Sequence, residues 1–224
     1  MISVIIPVFN EADLIKNLFE HLDGMKGDFE TFVVDGGSRD KTAEVAREHA
    51  IVIASKRGRA VQMNTGAGRA SGDILLFLHA DCLPEKNAFL EVEKIMEDFK
   101  VAGGGLKYDT CETSLLYRNH VFWSSLRARL TGIYLGDHGI FVRRRTFDRA
   151  GGFPIQPLME DVELCKKLKK EGRLVQAKSK MFTSSRRFKA RGFTRTVLQM
   201  HLNRLLYAIG VPAETLAKYY GDVR

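Results

Sequence analysis

The sequence predicts an α/β protein built on a mostly parallel, mixed sheet with helices covering both faces. Three observations support that class. Short apolar runs rich in branched side chains alternate with amphipathic helical patterns through the first half of the chain. The runs are apolar throughout, as strands buried on both sides are. Each run also gives way at once to polar residues, where an open parallel sheet places its ligands.

In chain order, residues 3–6 form the first strand and 12–22 the first helix, with Leu14, Leu18, Phe19 and Leu22 on one face. Residues 31–34 form the second strand, and Asp40 or Ser38 can cap the helix over 41–49. A third strand at 51–54 leads to a helix over 59–70; a fourth at 74–78 precedes a helix over 86–99. The second half is less regular. It reads as a strand at 101–106, a helix at 115–130, a strand at 139–142 and a short helix before Gly151-Gly152. A helix over 160–170, two strands near 174–177 and 181–183, and a closing helix over 194–209 complete it. No linker or repeat breaks the pattern, so one domain over 1–224 is expected.

Composition narrows the class. The 224 residues are 45% hydrophobic and 28% charged, which excludes a disordered chain, a collagen and a disulfide scaffold. The longest apolar run, 74–78, is far short of the roughly 20 residues that span a bilayer. Residues 2–6 carry neither the basic lead nor the cleavage site of a signal peptide. Cys82, Cys111 and Cys165 are widely spaced and odd in number, which suits a reducing compartment. A cytoplasmic protein is the expectation. Its formal charge of +8 is uneven, because residues 143–195 hold sixteen Lys and Arg against five Asp and Glu. Such a segment draws anions, although Lys166, Lys167, Lys169 and Lys170 read as a solvated helix face.

The strand exits hold the chemistry. They are Pro7 to Glu11 after the first strand, Asp35 to Asp40 after the second, Lys56 to Arg59 after the third and His79 to Cys82 after the fourth. A dinucleotide fold wants G-x-G-x-x-G after its first strand, and this chain has P-V-F-N-E there; it also has no P-loop.

P-V-F-N-E, V-V-D-G-G-S-R-D-K-T and F-L-H-A-D, followed by G-D-H-G-I-F-V-R-R, G-G-F-P and M-E-D-V-E-L, resemble the inverting glycosyltransferases of family 2. G-R-A-V-Q-M-N-T-G-A at 58–67, Met159-Glu160-Asp161 and T-S-S-R-R at 183–187 look closest to a small bacterial branch found beside arsenosugar and selenium-associated genes. The resemblance implies the GT-A fold, a nucleotide-binding half over 1–108 and an acceptor half over 109–224. It implies transfer of a sugar from a nucleoside diphosphate, a UDP-sugar first, to a hydroxyl acceptor by single displacement.

It also implies roles. Asp35 accepts from a pyrimidine N–H, Gly36 and Gly37 leave room for the ring, and Pro7, Asn10 and Glu11 line its other side. Asp81 is a ligand for Mn²⁺ or Mg²⁺; His79 stands where the family often has another carboxylate, and imidazole favours Mn²⁺. Arg59 can reach the phosphates or sugar, Asn64 either the sugar or its own helix packing, and Arg187 (with Arg186) the diphosphate. Asp161 matches the catalytic base, kept ionised at a helix start, with Glu160 its rival. Asp137 and His138 border the acceptor, and His138-Gly139 replaces the usual Gln-Ala. The helices at 115–130 and 194–209 carry apolar stripes with arginines, which suit a membrane surface facing a lipid-linked acceptor, a dimer contact or plain core packing. Two rival functions stand beside this one. Nucleotidyl transfer would want a glycine-rich basic first loop, and a non-catalytic nucleotide-sugar or RNA-binding module would leave Asp81 and Asp161 idle. With no aromatic RNA platform, no nucleic-acid partner is expected.

Overall fold

A computed structural model describes residues 1–220. Its centre is an eight-stranded mixed sheet in the order β3-β2-β1-β4-β7-β6-β8-β5. Strands β1 (Ile2–Val8), β2 (Phe29–Asp35), β3 (Ile51–Ala54) and β4 (Ile74–Phe77) run parallel, joined by α1 (Ala12–Leu22), α2 (Thr42–Arg47) and α3 (Arg59–Ala67). Strand β7 (Ile140–Arg143) pairs antiparallel with β4 and with β6 (Val101–Asp109).

Alternation along β1 shows why both faces need covering. Ile2, Val4, Ile6 and Val8 join one buried cluster with Leu18 and Phe19 of α1 and with Phe89 and Val92 of α4 (Ala88–Met96). Ile5 faces the other way, onto Ala60 and Met63 of α3, Phe147 of α6 (Arg144–Arg149), and Leu164 and Leu168 of α7 (Glu160–Glu171). The four lysines of α7 divide as the amphipathic pattern suggests: Lys166, Lys169 and Lys170 are exposed, and Lys167 is half-buried with its ammonium on the Gly152 carbonyl.

Four features depart from the sequence reading. The two strands expected near 174–177 and 181–183 are one eleven-residue strand, β8 (Arg173–Thr183), because shifts in register against β6 absorb the polar residues between them. Three-residue β5 (Cys82–Pro84) pairs antiparallel with β8. A one-turn 3-10 helix at Gly136–His138 precedes β7. After β8, α8 (Arg186–Arg191) and α10 (Ala213–Tyr220) flank α9 (Phe193–Ala208), while α5 (Leu115–Thr131) matches the expected long helix. Asp40, not Ser38, serves α2, taking the Thr42 amide and hydroxyl.

The run Gly103-Gly104-Gly105 in β6 is forced by proximity. An added Cβ at Gly104 would sit 1.8 Å from the Val175 carbonyl oxygen of β8, and one at Gly105 would meet the Tyr134 ring at 2.6 Å. Gly104→Ala is therefore expected to lower stability by about 1–3 kcal/mol, the usual range for overpacking. Urea unfolding measures this; an unchanged midpoint would show that β6 and β8 can separate at no cost.

Candidate active site

The carboxyl ends of β1, β2 and β4 open onto one crevice, where the sheet order turns between β1 and β4. Its first wall is the meeting of the two leading loops. Asp35 ends β2 nearly buried, and its carboxylate accepts from the Gly37 amide at 3.3 Å and from the Ser38 amide and hydroxyl. Asn10, in the left-handed region at φ 53°, donates its amide to Ser38 Oγ at 2.9 Å and accepts the Arg39 amide at 2.8 Å. Beside it the Glu11 amide donates to Thr42 Oγ1 and the Ala12 amide to Asp40 Oδ2. Pro7 lies buried in β1, and Gly36 donates to the Val8 carbonyl. Above Gly37, at φ 86°, there is open space. The turn Asp35 closes is thus the one a β–α connection needs, and it leaves room over the glycines.

Gln62, buried in α3, fixes this wall from below. Its amide donates to the carbonyls of Val8 and Val34 at 2.8 Å each, and its oxygen accepts the Gly58 amide. One side chain therefore ties the ends of β1 and β2 to the loop before α3. The sequence reading had placed Gln62 only as a helix residue. The Arg57 guanidinium lies 4.1 Å above the Phe9 ring at the same mouth. That cation over an aromatic was also missed, since the two are far apart in sequence.

The second wall is electrostatic. Arg59 Nε lies 3.0 Å from Glu160 Oε1, joining the first turns of α3 and α7, with the Glu160 side chain only 4% exposed. Asp161, next in α7, is half-buried and accepts the Gly136 amide at 2.9 Å and the Val162 amide at 2.7 Å. Met159 just before them is left-handed at φ 64°. Among the described residues, it and Asn10 are the non-glycines with positive φ, and both border this crevice.

Desolvation decides the protonation of Asp161. Burial first, then the neighbouring Glu160 charge, push its carboxyl from 3.8 up to about 7, against the pull of Arg59 and the two amides. The expectation that a helix start keeps this group ionised is corrected accordingly: loss of water outweighs the helix dipole.

His79 packs its Cε1–Nε2 edge against Gly136, where an added Cβ would meet both atoms at 2.6 Å. Burial, helped by Arg59, lowers its pKa, so the ring is neutral at pH 7. Asp81 reaches the rim, where Arg186 Nη2 sits 3.0 Å from its Oδ2. Among the described residues no three His, Cys, Asp or Glu side chains gather as a metal cage. The Asp81 carboxylate is engaged by Arg186, so a divalent cation bound there would share it with, or displace, that guanidinium and would take its remaining ligands from a bound diphosphate.

Of the remaining expected residues, Asn64 takes its packing alternative and His138 sits differently. Asn64 exchanges two hydrogen bonds with the Phe153 backbone, at 2.8 and 2.9 Å, so its amide fastens a loop to α3 instead of facing a ligand. His138 is fully buried under Tyr134 and Tyr108, its Nδ1 against the Leu106 carbonyl, and cannot line an acceptor opening. Asp137 stays half-buried nearby, with its carbonyl accepting from the Thr183 hydroxyl. Of the two expected arginines, Arg186 meets the rim carboxylate; Arg187 is half-buried on the same short helix.

Residues 3–149 match the model of the family described as Glycosyl transferase family 2. The chain is 36% identical to glycosyltransferase AglE of Haloferax volcanii over 96 residues, which cover 38% of this chain and 32% of that protein. It is 29% identical to the undecaprenyl-phosphate 4-deoxy-4-formamido-L-arabinose transferase of Edwardsiella ictaluri, over 63% of this chain and 48% of that one. It spans between a third and a half of these relatives' length. Among solved structures, a mannosyltransferase of Pyrobaculum calidifontis, in complex with GDP-Man and Mn²⁺, superposes with TM-score 0.73 at 23% identity, over 98% of this chain and 68% of that one. Glucosyl-3-phosphoglycerate synthase of Mycobacterium tuberculosis, with Mn²⁺ and UDP, gives TM-score 0.64 at 19% identity, over 95% and 81%.

Because Asp161 holds its proton more tightly folded than unfolded, the native chain binds more protons between about pH 4 and 7. Its contribution to stability therefore falls as pH rises through that window. Asp161→Asn is expected to remove this component, so that the variant gains thermal stability over the parent at pH 8 but not at pH 4. Equal melting differences at the two pH values would contradict a raised Asp161 pKa.

Proposed function

The chain belongs to glycosyl transferase family 2, and from that premise we propose that it is an inverting transferase that moves a sugar from a nucleoside diphosphate to a hydroxyl acceptor. The observation that supports this best is Asp161: a carboxyl poised near neutrality, held by the Gly136 amide and flanked by the Arg59–Glu160 pair. The sheet itself has the GT-A architecture of the solved transferases.

In this reading residues 1–108 hold the nucleotide and 109–224 the acceptor; positions 221–224 lie outside the described residues. Pro7, Asn10, Glu11 and Asp35 to Gly37 receive the base and ribose, UDP-sugars being the first donors to try. Arg59 and the Arg186-Arg187 pair face the diphosphate, and Asp137 borders the acceptor. A divalent cation, Mn²⁺ or Mg²⁺, held by Asp81 with the diphosphate would neutralise charge on the leaving group, as Mn²⁺ is found in two solved neighbours.

The chemistry is one displacement. Asp161 takes the proton of the acceptor hydroxyl as that oxygen bonds to the sugar's C1. The bond from C1 to the diphosphate oxygen breaks with its electron pair on the diphosphate, and the configuration inverts. Glu160, already paired with Arg59, positions this base and raises its pKa. A carboxyl near 7 suits a general base, because it is substantially ionised at working pH yet still accepts a proton readily.

Named relatives act on undecaprenyl phosphate, which supports a lipid-linked acceptor for this chain. Three free thiols and a nucleotide-sugar donor support a cytoplasmic location. The motifs at 58–67 and 183–187 support placing it in the small bacterial branch named above.

Asp161→Asn is expected to lower kcat by about 10²–10⁴-fold, the usual contribution of a positioned base, while nucleotide affinity holds. In the parent, kcat/KM is expected to rise with pH and level off above an inflection near 7. Turnover of the variant within threefold of the parent, on any donor the parent uses, would remove Asp161 from the mechanism.

A further inference from the structure

Helices α5 and α9 hold an unusual share of exposed apolar surface. On α5, Leu115, Phe122, Trp123 and Leu130 are between 58% and 81% exposed. On α9, Leu198 and Leu205, with Ile209 just past its end, are between 61% and 71% exposed. Neither helix is a misplaced core element, since each also buries a separate inward face: Ser125 and Ala128 on α5, Thr196 and Asn203 on α9.

The two lie side by side. Tyr117 of α5 meets Phe193 of α9 with ring centroids 4.8 Å apart, and Phe188 of α8 fills the angle between them. The side chains of the helices themselves carry charge of one sign. The three helices contain three arginines in α5, four basic residues in α8 and two arginines in α9, and no Asp or Glu. Arg118, Arg129 and Arg195 are exposed beside the apolar side chains. A cleft along α5 is lined by Arg118, Phe122, Arg129 and Lys180 together with Asp109 and Glu112, whose carboxylates pair with Lys180 and Lys189 and leave the arginines as the charge in excess. The surface also reaches the crevice, because α8 supplies the Arg186 that pairs with Asp81.

We propose that α5 and α9, with α8 between them, dock the protein on a bilayer rich in acidic headgroups, with the crevice held at its edge. Leu, Phe and Trp side chains sink to the acyl boundary while the arginines meet headgroup phosphates, the arrangement by which interfacial helices bind without crossing. No helix among the described residues is long and apolar enough to cross a membrane. A second copy of the chain is a poorer occupant, since a face-to-face dimer would oppose two surfaces of the same positive sign. The proposal does not depend on the donor or the acceptor, so its failure leaves the transferase reading standing.

The full chain is tested by flotation with vesicles of equal parts phosphatidylcholine and phosphatidylglycerol, and with phosphatidylcholine alone. It is expected to float with the acidic vesicles, to be released by high salt, and to stay behind with the neutral ones. Trp123 is the sole tryptophan, so its emission is expected to shift to the blue on binding. The double variant Trp123→Glu, Leu205→Glu is expected to lower partitioning by about tenfold or more, with urea unfolding and nucleotide-induced thermal shift unchanged. Absence of flotation at low salt would overturn the proposal. So would a dimer in sedimentation that the double variant splits, because the face would then belong to a second copy.

Discussion

The site depends on one buried attraction, the ion pair between Arg59 and Glu160. It joins the first turn of the helix after β3 to the first turn of α7, and so joins two parts of the chain a hundred residues apart. Removing Arg59 would leave the Glu160 carboxylate, only 4% exposed, without its counter-charge, whereas the guanidinium is 31% exposed and keeps part of its water. The pair also sets the chemistry next door. Glu160 raises the Asp161 carboxyl and Arg59 restrains that rise, so the proton affinity of the proposed base is a balance between the two. Glu160 Oε2 is buried with no hydrogen-bond partner among the described residues, so the balance sits close to its limit.

Around this pair the wall is built from backbone groups more than from side-chain charge. Asp35, Ser38 and Asn10 spend their polar atoms holding one loop to another, and Gln62 does the same for two strand ends. Preorganisation of this kind leaves the open space above Gly37 fixed before any ligand arrives. A loop pinned by five or so hydrogen bonds loses little entropy on binding, so affinity is not consumed in ordering it.

Much of this was legible in the sequence because parallel sheets obey local rules. The apolar runs of β1, β2 and β4 read as buried strands, with β3 the partly exposed edge strand, and the residues after them share one end of the sheet. Asp35 and Asp81 were placed at strand exits in that way, and Asp161 was singled out by its motif alone. What stayed hidden was decided by distance or by solvent. Nothing in the neighbourhood of Asn64 reveals that its amide will meet Phe153, eighty-nine residues on. His138 was placed at the acceptor border by the G-D-H-G motif and its resemblance, yet the turn at Gly136 to His138 rotates it into the core. The Asp161 pKa went astray because a helix start favours a carboxylate, whereas desolvation, invisible in a sequence, opposes it more strongly. The β8 strand was split in two because its middle is polar; pairing with β6 through register shifts keeps it whole.

The basic excess of the second half also finds its place. Four of its sixteen basic residues lie on α8, between the Asp81 rim and α9 with its exposed apolar side chains. The claim at the centre is that the loop wall and the Arg59–Glu160–Asp161 wall face a single nucleotide sugar. Crystals soaked with a UDP-sugar that raises the melting temperature, and with Mn²⁺, test this most directly. The account predicts uracil beside Asp35, the diphosphate between Asp81 and Arg59, and the anomeric carbon turned toward Asp161. A nucleotide bound elsewhere, or a sugar directed away from Asp161, would contradict it.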